Sequence, residues 1–317
     1  MKFRNNLDKS LLGNGCILVA TIFWGVNYPF TKALIPDFMS ANDISAVRLV
    51  GGCILFWLTS LFTGAEKLDA QSLKCAAIGG AVGLFGCIFL FVLSLNYGSA
   101  IDIAIIMTLP PVFVILMEVL FMGRRPSLME YCGIVLSFAG AAMIILSRAG
   151  SGAAGGNNFL LGDFLAMASS LSFAIYLVVL AKPTDKYRPI SLLRWVFFFA
   201  ALPALFLVPP LFSAPILKSG EIAPWLEIAF ILFCPTFLAY LLQEPAIRMI
   251  GPVIDSLYQY LTPVVAAIAA ILMGVDEPRW QQGAAMLIII AGMILTDRGK
   301  KREKVNPAHE ARKQNFF

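Results

Sequence analysis

The stretch IDSLYQYLTPVV, Ile254 to Val265, sets an aspartate in a long apolar run, eight residues before a proline. A second stretch, IDIAIIMTLPPVF from Ile101 to Phe113, repeats the arrangement, with Asp102 eight residues before Pro110. Asp102 and Asp255 are 153 residues apart, close to half of the 317-residue chain, and Gly98 and Gly251 share that offset. Accident of composition rarely puts an ionisable residue and a helix-breaker at one spacing twice. The pattern marks an internal repeat.

Composition identifies the solvent. The chain is 59% hydrophobic and 14% charged, with a mean hydropathy of +0.81, whereas soluble domains are roughly 25% charged. A soluble chain could not hide that surplus, so the medium it calls for is a lipid bilayer. The net charge is +5, but the basic residues crowd the ends: Lys2, Arg4 and Lys9 at the head, Lys300, Lys301, Arg302 and Lys304 at the tail. They flank apolar segments instead of forming the basic face that a nucleic-acid partner needs, so none is expected. The six cysteines have no C-x-x-C spacing and read as lone small apolar side chains. The single histidine, His309, lies in the charged tail. No histidine-based metal site or catalytic triad can be built in the apolar body, and no cofactor is expected. The basic start resembles a secretion signal, but no A-x-A-like site follows its first apolar run.

A membrane helix needs about 20 largely apolar residues. Ten segments qualify, at 12–34, 43–63, 73–96, 99–122, 128–147, 160–181, 190–212, 225–247, 252–274 and 280–297. The fold class expected is therefore an all-α membrane protein of ten transmembrane helices. The glycine-rich RAGSGAAGGNN, Arg148 to Asn158, sits at the midpoint and reads as a linker. Residues 1–150 form a first five-helix repeat, 151–159 the linker, 160–298 a second repeat and 299–317 a charged tail. With ten spans both termini share a side. Of the 24 lysines and arginines, 18 fall on that side and only Arg148, Lys218 and Arg279 on the other, the remaining three lying in or beside helices. The positive-inside rule then predicts a multi-pass protein of the plasma (bacterial inner) membrane with both termini cytoplasmic.

Other pieces recur. Leu11–Asn14 echoes Leu160–Asp163; Ile44, Ser45 and Arg48 recur as Ile190, Ser191 and Arg194; Pro126 and Gly140 recur as Pro278 and Gly292. Five helices is an odd number, so the second half must enter the membrane from the other side, giving two inverted five-helix repeats. Asp102 and Asp255 then hold the same place in halves that face opposite ways. Inverted repeats are a common build for transporters, with the substrate near the midplane between them.

Several motifs carry a resemblance: WGVN (Trp24–Asn27) with Lys32, Arg48, the P-x-F of Pro111–Phe113, and FMGRRPS (Phe121–Ser127) followed by Gly133 and Gly140. To these are added GDFLAMASSLSFAIYLVV (Gly162–Val179) and LTPVVAAIAAILMGVDEP (Leu261–Pro278), closed by Gly292. In order and spacing they resemble the drug/metabolite transporter superfamily, specifically its EamA-type ten-helix members, over nearly the whole chain. One departure stands out. The family pattern has an acid in the junction after the fourth helix, where this chain has Arg124 and Arg125; the second half keeps Glu277 before Pro278. The resemblance implies a secondary carrier with a central cavity lined from both halves. It implies no particular substrate, since members carry amino acids, nucleobases, vitamins and other small metabolites.

On a helix, positions i, i+3, i+4 and i+7 share a face. The ninth segment so aligns Asp255, Tyr258, Gln259 and Thr262, running into Pro263. The eighth aligns Thr236, Tyr240, Gln243 and Glu244, the first Thr21, Trp24, Tyr28 and Thr31 with Asn27 beside them, and the sixth Ser169, Ser172 and Tyr176. Lipid satisfies none of these groups, so the stripes face protein or a wet cavity. The plain alternative is hydrogen bonding that only holds the bundle together, the ordinary role of interface Ser and Thr. Large rings and amides also suit a small ligand. The substrate-binding candidates are Trp24, Asn27, Tyr28, Tyr176, Tyr240, Gln243, Tyr258 and Gln259. Glu244 is the candidate for a coupled proton or cation, and Arg48 could pair with it or with another acid. Asp102 and Asp255, with Pro110 and Pro263, are gate or hinge candidates; the alternative for the two aspartates is a first-turn acid facing the positive end of a helix dipole. Glycines 79, 83 and 86, and Gly133 with Gly140, make small faces for close helix contact.

No G-x-x-x-x-G-K-[ST] motif occurs, which removes the ATP-driven pump. An intramembrane enzyme would need a metal cluster or a nucleophile–base pair, and an assembly subunit would leave the repeat and the aromatic stripes without a use. The function expected is a secondary carrier of a small polar metabolite, with amino-acid or metabolite export favoured and protons as a possible partner.

Overall fold

The computed structural model describes residues 2–122, 126–149, 158–250 and 258–305, and the side chains within them except at 2–10, 122, 148–149, 244, 247–248, 250, 297 and 300–305. Residues 151–157 of the linker, Asp255 and the Glu244 side chain therefore lie outside the described residues. Every regular element among those described is helical. Among the described residues, eight helices are long and apolar enough to cross a membrane: Leu11–Leu34, Ala41–Thr63, Ala70–Tyr97, Ala100–Phe121, Leu128–Ser147, Phe159–Lys186, Pro189–Leu207 and Ala223–Gln243. Two shorter apolar helices follow, Thr262–Leu272 and Trp280–Thr296. We number these ten α1 to α10 in chain order.

Their outward faces carry the surplus apolar surface. Phe62 is 88% exposed, Phe121 82% and Leu272 81%. Water would penalise such a belt, since soluble monomers rarely expose large contiguous apolar patches. Polar groups turn inward instead: Thr21, Ser45, Asp102, Ser137, Ser169, Ser170 and Thr236 are fully buried. The apolar exterior and polar interior place a multi-span protein in lipid.

Small residues set the packing of α3 on α6. A methyl group added at Gly79 would lie 2.9 Å from the Leu180 side chain, one at Gly83 2.8 Å from the Tyr176 backbone, and one at Gly86 2.8 Å from the Ser172 hydroxyl. The glycine face expected from the sequence is the seam itself. On the other side, α5 and α10 cross at Gly133 and Gly292. There, added methyls would lie 2.4 Å and 2.6 Å from the opposing backbone carbonyl.

Three helices contain a wide π turn, with i→i+5 bonding: Val47–Gly51 in α2, Gly79–Leu84 in α3 and Leu232–Leu238 in α8. Such turns are rare and concentrate at functional sites. Two others break. α4 stops at Ile106 and resumes at Pro110. α9 begins at Thr262 after a turn at Tyr260–Leu261, with Pro263 in its first turn. Proline supplies no N–H and is tolerated at a helix start, so both prolines sit where that loss costs least.

The seventh segment departs from expectation. A continuous helix over 190–212 was the reading from hydropathy; the helix ends at Ala204, and short 3-10 turns over Leu205–Leu207 and Pro209–Ser213 follow. Pro203, Pro209 and Pro210 remove three donors within eight residues, which averaging over an apolar window conceals.

Candidate functional site

A cavity of about 110 Å³ opens where these irregularities meet. A cavity needs only ~10–15 Å³ by such a measure to hold one water, so this one has room for a small ligand. Its wall combines Trp24, Asn27 and Tyr28 of α1, Arg48 of α2, Cys87, Ile88 and Phe91 of α3, and Ala104, Met107, Thr108 and Pro111 around the break in α4. From later in the chain come Phe173 of α6, Tyr240 of α8, and Gln259, Tyr260 and Thr262 at the start of α9. Both helix interruptions thus border one space.

Proline chemistry positions part of this wall. Pro235 cannot donate to Ile231, and that carbonyl instead accepts the Thr236 hydroxyl at 2.7 Å. In a regular helix the Ala239 N–H would bond to the Pro235 carbonyl; in the π turn it reaches Cys234. The freed Pro235 carbonyl accepts the Trp24 indole N–H at 3.1 Å, tying α1 to α8. The same substitution occurs in α4. Pro110 has no N–H for the Ile106 carbonyl, which accepts the Leu109 N–H in a tight turn and the Ser170 hydroxyl of α6, each at 3.1 Å. In both the widened and the unwound segment a hydroxyl bonds to the carbonyl that proline leaves without its usual donor.

The rings form a connected set. Trp24 meets Tyr240 edge-on with centroids 5.9 Å apart, and Tyr28 meets Phe91 at 5.0 Å. Asn27 accepts the Thr31 hydroxyl at 3.3 Å. Arg48 donates its Nε to the Thr236 hydroxyl at 3.0 Å, and its guanidinium lies 5.6 Å from the Phe91 ring centre. One face of this wall is aromatic; the polar groups that interrupt it are an amide pair, hydroxyls and one guanidinium.

Of the eight substrate-binding candidates, Trp24, Asn27, Tyr28, Tyr240 and Gln259 line the cavity. Tyr176, Gln243 and Tyr258 do not. Tyr176 stacks on Phe173, which takes the lining position, with ring centres 5.4 Å apart. Gln243 is buried outside the cavity wall. Tyr258 donates its hydroxyl to Asn14 at 3.0 Å and packs with Ile17 and Ala246. The one-face reading of the ninth segment assumed an unbroken helix; the turn at Tyr260–Leu261 shifts the phase and separates Tyr258 from Thr262. Pro110 and Pro263 stand at the two interruptions.

Asp102 is fully buried in the first turn of α4, but the helix end is not its main partner. Nη2 of Arg279 approaches both of its oxygens, and Gln282 Nε2 donates to one at 2.8 Å. Beside this pair, Ser99 and the Ile101 N–H both donate to Asp276. The loop between α9 and α10 therefore clamps the start of α4. At the α2–α3 loop, the exposed Asp69 receives the Lys186 ammonium at 2.5 Å, which holds its carboxyl below the usual carboxylate range.

Sequence reasoning singled out Arg48 only as a partner for an acid, and passed over Phe91, Met107, Thr108, Phe173 and Tyr260. An intramembrane arginine was signal enough for a site; the apolar lining residues have no signal that distinguishes them from core. No group of residues able to hold a metal occurs among the described residues.

Comparisons agree with this architecture. The EamA-like transporter family matches residues 11–146 and again 160–296. A Bacillus subtilis (strain 168) protein named "Uncharacterized transporter YyaM" is 25% identical over 89% of this chain and 92% of its own length. An uncharacterized transporter of Archaeoglobus fulgidus is 28% identical over 88% of this chain and 95% of its own. A Streptantibioticus cattleyicolor protein named "Probable terminal-alkyne amino-acid exporter" is 20% identical, over 92% and 96%. One crystal structure superposes with a TM-score of 0.58 at 16% identity, covering 92% of this chain and 97% of the other, a likeness of fold. With apolar helices around a polar interior and a matched profile over both halves, this chain is a membrane transporter, not an enzyme, and belongs to the EamA-like transporter family.

Proposed function

We propose that the protein is a secondary carrier that moves a small polar metabolite through the cavity by alternating access. In this reading ten helices cross the membrane as two inverted five-helix repeats, 1–150 and 160–298, joined by the linker at 151–159 and ended by the charged tail at 299–317. Both termini face the cytoplasm of a bacterial inner membrane. Trp24, Asn27, Tyr28, Tyr240 and Gln259 contact the substrate. Asp102 with Pro110, and Asp255 with Pro263, work at the two gates, and Glu244 is the residue through which protons would couple.

The single observation that carries this reading is the position of the cavity. It lies between residues from both halves, at the two helix interruptions, where a small relative rotation changes which end is closed. The wall supports a small polar substrate, since rings supply contact area and amides supply directed hydrogen bonds. The likeness to a relative named as an amino-acid exporter favours amino acids or related metabolites and outward transport. Flux in sealed vesicles tests the proposal, with metabolites quantified in cells lacking and overproducing the protein to supply the solute. Unidirectional uptake with counterflow is the expected result; solute that equilibrates without counterflow would identify a channel. Orientation is tested separately with Ser151→Cys in a cysteine-free chain, which should react with an impermeant thiol reagent in intact cells.

A further inference from the structure

Arg48 and Arg194 occupy matching places in the two Ile-Ser-x-x-Arg motifs, and the fold treats them in opposite ways. Arg194 lies at the rim, where its Nη2 donates to the Glu66 carbonyl at 3.0 Å and Ser191 accepts the Glu66 N–H. That motif pins a loop. Arg48 is 4% exposed, lines the cavity, and spends only its Nε on Thr236. Its Nη1 is buried without a hydrogen-bond partner, and among the described residues no carboxylate pairs with it. Among the described residues no acidic side chain appears in the cavity wall.

A buried, uncompensated guanidinium is costly unless something supplies the opposite charge. The Phe91 ring meets part of that demand from one side. We propose that the rest is met by the ligand: the cavity takes a small organic carboxylate, its anionic group on the free edge of Arg48 and its organic body against Tyr28, Phe91 and Tyr240. A monovalent carboxylate fits better than a phosphate dianion, because among the described residues the wall offers one positive charge and its Nε is already engaged. This inference rests on the carrier reading and names the chemistry of its substrate.

Cys87 makes the proposal testable without knowing the natural solute, since it lines the same cavity. In the full chain, reconstituted in liposomes, the other five cysteines are replaced by alanine. Three reagents are then compared: methyl, 2-carboxyethyl and 2-(trimethylammonium)ethyl methanethiosulfonate. Each rate at Cys87 is divided by the rate with free 2-mercaptoethanol. The carboxylate reagent is expected to outpace the cationic one by about tenfold or more, as a nearby unit charge in a poorly screened site requires. Arg48→Lys should keep that preference, and Arg48→Gln should bring the ratio near one.

A carboxylate reagent no faster than the cationic one in the parent chain overturns the proposal, and so does a preference that survives in Arg48→Gln. The parent ratio decides the matter even if the glutamine variant does not fold. Failure of the carrier reading looks different. There, not even the small neutral methyl reagent would reach Cys87, whereas labelling by the methyl reagent without a charge preference would remove the carboxylate alone.

Discussion

Arg279 and Asp102 hold each other across 177 residues of sequence, Nη2 of the arginine lying 2.9 Å from one carboxylate oxygen and 2.7 Å from the other. The two ends of this pair are unequal, because the Asp102 side chain is 0% exposed and that of Arg279 27%. Removing the arginine strands a buried charge with Gln282 still beside it; removing the carboxylate leaves an arginine that can turn toward water. Arg279→Gln should therefore lower stability by about 3 kcal/mol and Asp102→Asn by only about 1 kcal/mol. Thermal or denaturant unfolding of the purified protein in detergent reads the difference, and equal losses would contradict the asymmetry.

The crossing of α5 and α10 depends on the absence of two side chains. An added methyl at Gly133 would sit 2.4 Å from the Gly292 carbonyl and 2.2 Å from the Thr296 hydroxyl. Neither helix backbone can give way without separating the pair. Gly133→Val should cost at least about 3 kcal/mol, in the upper range of single substitutions, and reduce the amount of folded protein in the membrane. Gly15 has no neighbour within 4 Å of an added methyl; Gly15→Ala should be neutral in the same unfolding and expression measurements.

Tyr240 and Tyr258 separate ligand contact from bundle packing. Tyr240 faces the cavity and meets Trp24, Tyr176 and Phe197 edge-on. Tyr258 spends its hydroxyl on Asn14. Tyr240→Ala should raise the half-saturating solute concentration by about tenfold, the equivalent of ~1.4 kcal/mol of lost contact. Tyr258→Phe should leave it within about twofold. Concentration-dependent uptake in vesicles distinguishes them; a larger effect from Tyr258→Phe would move the binding surface to the Asn14 side.

What the sequence made legible was periodic or punctuated. The apolar runs, the glycine faces at Gly79, Gly83 and Gly133, and the prolines at 110 and 263 all report local constraints that act within a helix or at its seam. What it hid depended on contacts between distant segments. Asp102 could be picked out as an anomaly, but nothing local pairs it with Arg279, a loop charge 177 residues further along the chain. Arg48 was visible as a charge in lipid; that it sits in a π turn facing an aromatic wall follows from how α2 and α8 widen against each other. Tyr258 was placed by assuming one helical phase through a segment that turns at Tyr260–Leu261.

The break in α4 offers the last test, because it separates binding from movement. Pro110 denies an N–H to the Ile106 carbonyl, which instead accepts the Leu109 N–H and the Ser170 hydroxyl, each at 3.1 Å. An alanine at 110 restores the donor and relieves the clash that proline imposes on the preceding turn, so the helix can close across Met107–Leu109. That closure would stiffen the segment bordering the cavity while leaving Trp24, Tyr28, Arg48 and Tyr240 in place. If the interruption works as a hinge, Pro110→Ala should lower the maximal transport rate by about fivefold or more, with half-saturation changed by less than about twofold, the pattern of a slowed conformational step. Thermal unfolding should show the variant at least as stable as the parent, which separates a stiffened hinge from a damaged fold. A maximal rate that stays unchanged would make the break a static feature of the cavity wall, and a raised half-saturation at constant rate would make Pro110 part of the binding surface.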